Sequence, residues 1–275
     1  MRDHRATCAL IAQNMRPTMP PIAHADFIAG LAKGLAVLES FDTERQRLNA
    51  TQTAQRAGLT RAAARRHLLT LAHLGYLETD GQHFWLTPRV LRLSGAYLGS
   101  ARLPRTVQPT LQRLSALTGL PCSAAVLDGH AMVIVARSNT PLAAVSRLAD
   151  GLHLGSRLPA HATSTGRIML ASLEEAALQA WLNDQPLQRL TAYTITSAQQ
   201  LLSVLYMVRQ QDHAFAREEH EIGVQALAVP LRDVQGRTVA ALNVVSSPAT
   251  HTQEQLQAQA LPLLQDAARE LRSML

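Results

Sequence analysis

Apolar residues recur at helical spacing over 27–41, where Ile28, Leu31, Leu35 and Leu38 fall on one side of a helix. Asn49 followed three residues later by Gln52 is a capping-box signature, and it predicts a short helix ending at Gly58. A further helix is predicted over 60–74, with Ala64, Leu68, Leu71 and Gly75 along its inner stripe. The period then drops from 3.6 to 2. Residues 76–86 read as two short extended runs around Asp80 and Gly81, a strong hairpin signal. Helix, helix, tight turn, helix, hairpin is the order of a winged helix-turn-helix.

Beyond Pro88, helical patterns cover 89–102 and 106–118, with a break at Pro104 between them and an end at Gly119. The rest of the chain alternates strands and helices. Runs 123–127 and 132–137 flank Asp128 and Gly129, and apolar strands 225–231 and 238–246 flank a turn over 233–236. Capping boxes predict helices starting at Ser172 (with Glu175), Ser197 (with Gln200) and Thr252 (with Gln255). Strand pairs joined by tight turns imply a mainly antiparallel sheet flanked by helices, so the expected fold class is α+β. The expected divisions are a disordered leader over 1–24, the winged helix-turn-helix over 25–88, a linker helix over 89–104 and a larger domain over 105–275.

A length of 275 residues suits about two domains. With 47% hydrophobic and 17% charged residues the chain can bury a sizeable core, yet no apolar run approaches the roughly 18 residues of a membrane span. The apolar patch over 6–12 follows Arg2 and Arg5 but lacks a small-residue cleavage pattern, so no secretory signal is expected. Cys8 and Cys122 form no CxxC pair, which argues against a disulfide framework or a cysteine-based zinc module and fits a reducing cytoplasm.

Charge changes the picture more. Ten arginines (45, 47, 56, 61, 65, 66, 89, 92, 102, 105) lie between Arg45 and Arg105, opposed only by Glu78 and Asp80. That window is therefore +8 against +6 for the whole chain, so the remainder is −2. A basic block containing a helix-turn-helix pattern points to double-stranded DNA. With Ala64, Leu68 and Leu71 inward, the outer N-terminal side of the second helix presents Thr60, Arg61 and Arg65. An arginine fork matches two acceptors on guanine. Arg66 lies off that line and suits phosphate, and Thr70 lies further along the same helix. Gln82 and His83 at the hairpin tip can meet backbone or minor groove. His67 reads either as a DNA contact or as a core-edge histidine. A three-helix packing unit with a solvated basic face is the plainer alternative.

The stretches FIAGLAKGLAVLESFD, GLTRAAARRHLLTLAHLGYL, GSRLPAHATSTGRIMLASL and REEHEIGVQALAVPLRDVQGRTVAALNV resemble the IclR family of bacterial transcription regulators. The opening FIAGLAKGL and the segment VARSN…GSRLPAHATSTGR resemble its protocatechuate and 4-hydroxybenzoate regulators. The resemblance implies a GAF-like C-terminal domain that binds a small organic acid, and a homodimer or dimer of dimers on an operator. It implies effector contacts at Ser164, Thr165, Ala216, Ala226, Asn243 and Val245. Alanine at 216 and 226, where regulators of very small keto acids carry an acid and a cysteine, suits a larger, flatter ligand. His161 stands where the aromatic-acid regulators tend to have tyrosine, and Ala143 and Ala144 are smaller than their pattern.

The residues themselves suggest a similar site. Arg137 ends an apolar strand, so its head could hold a carboxylate at a pocket mouth, or it could form a surface salt bridge. Ser164 and Thr165 lie near a predicted helix N-terminus, which favours anions, though they could simply cap the helix. The run Glu218, Glu219, His220, Glu221 invites an enzymatic or metal-binding reading. It is not HExxH, no Walker, GxGxxG or GxSxG motif occurs, and a solvated acidic turn is the plainer expectation. The chain is therefore read as a cytoplasmic DNA-binding regulator with no cofactor and no metal, with an enzyme or a metal-sensing regulator as alternatives.

Overall fold

In the computed structural model the chain is described over residues 22–23, 25–42, 45–138, 152–184 and 186–275. The expected leader, apart from two of its residues, lies outside these, as do Cys8, Ala143 and Ala144. The chain divides into two compact units, Met1–Ser100 and Ala101–Leu275.

In the first unit the second and third helices begin where the sequence supplies side-chain caps, while the first opens at Ile28 without one. Helix α1 is Ala29–Leu38, α2 is Ala50–Arg56 and α3 is Arg61–His73. Asn49 accepts from the Thr51 and Gln52 N–H groups while the Gln52 side chain accepts from the Asn49 N–H, so the capping box at α2 is complete. Gly58 then takes a φ of +64° in the turn before Thr60, whose hydroxyl caps α3. Strands β1 (Leu77–Thr79) and β2 (Phe84–Leu86) pair antiparallel as the wing. Leu48 bridges to Phe84 as a one-residue third strand that no periodicity announces. Ala64, Leu68 and Leu71 are buried as expected, with Leu68 in a core of Val37, Phe41, Leu48, Leu77 and Phe84. Each large side chain fully buried there contributes about 1.5–3 kcal/mol.

The expected stripe of α1 behaves differently. Ile28, Leu31 and Leu35 are 68%, 61% and 46% exposed; of the stripe only Leu38 packs partly against the core, which takes Val37 and Phe41. Helix α4, Leu91–Ser100, likewise exposes Leu91, Leu93 and Tyr97.

The second unit opens with α5, Arg102–Thr118, which ends at Gly119 with a φ of +69°. The break between α4 and α5 falls at Ala101, not Pro104. Pro104 sits in the first turn of α5, where its missing N–H would have had no helical partner anyway. Strands β3 (Cys122–Asp128), β4 (Ala131–Arg137), β5 (Arg157–Pro159), β6 (Ala214–Arg217), β7 (Gln225–Arg232) and β8 (Thr238–Ser246) form one sheet in the order β5-β4-β3-β8-β7-β6. Every neighbouring pair is antiparallel.

Helices α6 (Ser164–Ala171), α7 (Glu175–Asp184) and α8 (Ala198–Gln211) lie between β5 and β6 in the chain, and α9 (Gln253–Gln259) and α10 (Leu261–Arg272) follow β8. Strand alternation divides the side chains between two faces. Leu227, Val229, Leu231, Ala240, Leu242 and Val244 pack with α5, α9 and α10. Ala125, Met132, Ala228 and Ala241 pack with α6, α7 and α8. The capping box at Thr252 forms, and Ser197 caps α8 through the Gln200 N–H. The one expected at Ser172 does not form: Ser172 closes α6, and its hydroxyl donates back to the Met169 carbonyl.

Candidate functional site

Each unit presents one candidate surface. In the first, Thr60 caps α3, Arg61 opens it and Arg65 and Arg66 follow one turn later. With about 3.6 residues per turn, Arg61 and Arg65 border the buried stripe of Ala64, Leu68 and Leu71 while Arg66 lies opposite it. Arg61, Arg65 and Arg66 are exposed, and among the described residues none of them has an ion-pair partner. Other arginines of the basic block are engaged within the unit. Arg56 pairs with Asp42 and donates from Nε to the Ser40 carbonyl at 2.6 Å. Arg47 stacks 4.2 Å over the Trp85 ring, and Arg89 lies 5.4 Å from the Tyr76 ring centroid. Arg45, Arg92, Arg102 and Arg105 are exposed as well; Arg61, Arg65 and Arg66 are the three that gather at the start of α3.

Thr70 is exposed, but its hydroxyl donates to the Arg66 carbonyl at 2.8 Å and so belongs to the helix backbone. At the wing tip Asp80 accepts from the backbone N–H groups of His83 and Gln82, which hold its carboxyl below the usual range. Gln82 is exposed, and the His83 ring lies 3.7 Å from the Asp80 carboxylate. His67 is half-buried; burial, then Lys33 and Arg66, push its pKa down, which favours a neutral histidine at the edge of the core.

In the second unit a cavity with about 720 Å³ of unfilled space, part of it open to solvent, lies on the face of the sheet that carries α6. Ser164, Thr165, Ala216, Ala226, Asn243 and Val245, far apart along the chain, all line it. Ala216, Ala226 and Val245 are cross-strand neighbours in one row of the sheet. Their small side chains keep the floor low. Asn243 pairs with Ser123 in the next row, and the Ser123 hydroxyl donates to the Asn243 amide oxygen at 2.5 Å. This leaves the Asn243 amide nitrogen as a donor. Ser164 Oγ, 1% exposed as a residue, is buried with no hydrogen-bond partner. Thr163 caps α6 by accepting from the Gly166 N–H, so capping falls to Thr163 and not to Ser164 or Thr165.

Two expected residues are not in the lining. Arg137 pairs across β4 and β3 with Ser123, and its carbonyl accepts from Gln108, but its side chain does not line the cavity. His161 bonds elsewhere: its Nε2 donates to the Gln188 carbonyl at 2.9 Å, beside a separate cleft with His130, Arg157 and Trp181.

The acidic run is the largest departure from expectation. Glu219 is buried, not solvated, and both its oxygens accept from Arg167 Nη2 at 2.6 and 2.5 Å. Arg167 also donates from Nη1 to the Phe215 carbonyl at 2.7 Å. Burial lifts the Glu219 carboxyl above the usual range, and the Arg167 guanidinium works against that lift. The loop bearing Glu218 and Glu219 is tied further by the hydroxyls of Thr191 and Thr194, which donate to their carbonyls at 2.7 Å. It carries His220 into the cavity lining, with Nδ1 buried and unpartnered. Sequence reasoning missed Ser123 and Arg167, and placed His220 in a solvated acidic turn and not in the cavity. The one available signal was the arginine inside an otherwise apolar helix pattern at 164–171, which demanded a buried acid. Among the described residues no group of three His, Cys, Asp or Glu side chains could hold a metal ion, and no helix is long and apolar enough to cross a membrane.

Comparison with known proteins places both surfaces in a family. The IclR helix-turn-helix domain matches residues 30–81 and the bacterial transcriptional regulator IclR C-terminal domain matches 95–273. The Pca operon regulatory protein of Acinetobacter baylyi is 53% identical over 92% of this chain and 91% of its own length. The p-hydroxybenzoate hydroxylase transcriptional activator of the same organism is 51% identical over 90% and 92%. The crystal structure of a double mutant of the PobR inducer-binding domain from Acinetobacter, in complex with 3-hydroxybenzoic acid, is 43% identical. It covers 62% of this chain and 98% of its own, with a TM-score of 0.58. These relatives are regulators, not enzymes, and by both of its domains this chain belongs to the IclR family of bacterial transcription regulators.

Proposed function

We propose that the chain controls transcription in the cytoplasm in response to a hydroxylated aromatic acid bound in the cavity of the second unit. The carrying observation is that cavity: an apolar, low-floored slot holding a buried, unpartnered serine hydroxyl at a helix N-terminus. The Pca and p-hydroxybenzoate relatives, and the hydroxybenzoate seated in the related inducer-binding domain, support the ligand class. Protocatechuate, 4-hydroxybenzoate and ring-cleavage products lead the candidates. The carboxylate meets the free N–H groups at the start of α6, Ser164 and the Asn243 amide, while Ala216 and Ala226 make room for the ring. Arg137, outside the lining, is not needed for this. Titration calorimetry with these acids and their neutral amides tests the reading; equal binding of acid and amide would sink it. Bound ligand alters transcription only by favouring one arrangement of the protein over another.

The DNA surface is the start of α3. Arg61→Ala and Arg65→Ala are each expected to lose roughly 1–3 kcal/mol of operator affinity and to relax sequence preference, and Arg66→Ala to weaken all sequences about equally. Binding isotherms on operator and scrambled duplexes separate the two effects. Unchanged operator affinity in both Arg61 and Arg65 variants would remove α3 from the interface.

A second copy of the chain covers the exposed stripes of α1 and α4, because one recognition helix offers too little interface for specific binding and a two-fold pair doubles it. Ile28, Leu31 and Leu35 form one such stripe and Leu91, Leu93 and Tyr97 the other. Sedimentation is expected to show a dimer or larger assembly that dissociates in a Leu31→Glu, Leu35→Glu double variant. A monomeric wild type with and without DNA overturns this.

A further inference from the structure

A cavity that selects hydroxylated aromatic acids must recognise two unlike ends, an anionic carboxylate and a neutral hydroxyl. Resting on the reading of the cavity as the effector site, its polar atoms divide accordingly. Among the described residues, the buried side-chain polar atoms without a partner are Thr53 Oγ1, Ser164 Oγ, Arg167 Nε and His220 Nδ1. Thr53 is in the other unit, and Arg167 is already held through its remaining nitrogens. Ser164 and His220 are the two that line the cavity. Buried polar groups without partners are uncommon and call for a reason.

Ser164 stands in the first turn of α6, where free N–H groups favour an anion. His220 stands among acids. Glu218, Glu219 and Glu221 belong to the same loop and also line the cavity. The Glu218 carboxylate accepts from the Gly223 N–H, Glu219 faces Arg167 from α6, and Glu221 is exposed. His161 is the other titratable group acting on the ring. A carboxylate placed against this loop would meet like charge, so the charged end of the ligand turns towards Ser164 and Asn243, and its hydroxyl towards His220.

We propose that His220 reads the ring hydroxyl of the effector: the hydroxyl donates to Nδ1, which makes His220 the residue that separates hydroxylated aromatic acids from those without a donor. The ring is fit for this. Thr191 and Thr194 fix the loop that presents it, so Nδ1 is held in place before the ligand arrives. Burial, with His161 adding to it and Glu221 opposing, lowers the pKa of His220 and keeps the imidazole neutral near pH 7. A neutral imidazole has one acceptor nitrogen, and with the proton on Nε2 that acceptor is Nδ1.

The test is calorimetry on the full-length protein with benzoate, 3- and 4-hydroxybenzoate, and 4-methoxybenzoate, whose ether oxygen cannot donate. The wild type is expected to bind one of the hydroxybenzoates about 10- to 100-fold more tightly than benzoate or the methoxy acid. His220→Leu should bring that ratio to about threefold or less and leave benzoate affinity within a few-fold of wild type. His220→Gln should restore part of the preference, since its amide oxygen can accept. A His220→Leu variant that keeps the full ratio, or loses affinity for all the acids equally, overturns the role of His220 alone. A wild type that binds none of them overturns the reading of the cavity as well.

Discussion

Gly166→Ala is expected to cost roughly 4 kcal/mol or more of stability and to abolish the response to effector, the largest effect foreseen for any single methyl group in this chain. A Cβ at Gly166 would lie 1.9 Å from the Ala160 carbonyl oxygen and 2.5 Å from the Ala160 carbonyl carbon and Cα. All three are backbone atoms, so no side-chain rotation relieves the clash. Relief requires α6 to move off the turn over Ala160–Ala162, and that turn and the first turn of α6 together form one wall of the cavity. Cores resist such added volume because they are packed at crystal-like density. Gly99→Ala in α4 is the control: no atom lies within 4 Å of a Cβ there, and the helix gains up to about 1 kcal/mol. Thermal unfolding of the two variants compares them directly. A Gly166→Ala protein as stable as wild type would mean that α6 does not pack so closely on that turn.

What was legible in the sequence was what local chemistry dictates. Thr60, Gly58 and the spacing of Ala64, Leu68 and Leu71 define α3, and Asp80 with Gly81 defines the wing, because caps, turns and buried stripes act over a few residues. Periodicity identified α1 as amphipathic but could not say what would cover Ile28, Leu31 and Leu35. A stripe left for a partner, as proposed for this one, has the same spacing as one meant for the core. Ser172 and Glu175 match a capping box in spacing, yet Ser172 is still the last turn of the preceding helix, and its hydroxyl is already bonded there. The six candidate cavity positions came from family resemblance, since Ala226 and Asn243 are brought together by sheet register and Ser164 by the packing of α6 on the sheet. His220 was hidden for a physical reason. A run of three glutamates and a histidine looks solvated until Arg167, 52 residues earlier, buries one of its acids.

That same pair sets the second large effect. Glu219→Ala is expected to destabilise the protein by about 3–5 kcal/mol, because it leaves the Arg167 guanidinium buried without its counter-charge. The side chains of Arg167 and Glu219 are only 5% and 9% exposed, so water cannot take the place of the lost carboxylate. The intact pair need not be a net source of stability: burial pushes the Glu219 carboxyl up while the Arg167 cation pulls it down, so desolvation opposes the attraction. The two statements are compatible, and together they predict an asymmetry. Arg167→Met with Glu219→Leu, which removes both charges and keeps apolar volume, should recover much of what either single change loses. The double variant should nevertheless respond poorly to effector, because the pair also pins the loop that carries His220 to the helix that begins at Ser164. Denaturant unfolding of the two singles and the double gives the coupling energy, and calorimetry with hydroxybenzoates gives the binding. A Glu219→Ala protein with wild-type stability would show that water or another group reaches Arg167. A double variant with full stability and full ligand selectivity would show that the pair neither holds the loop nor shapes the site.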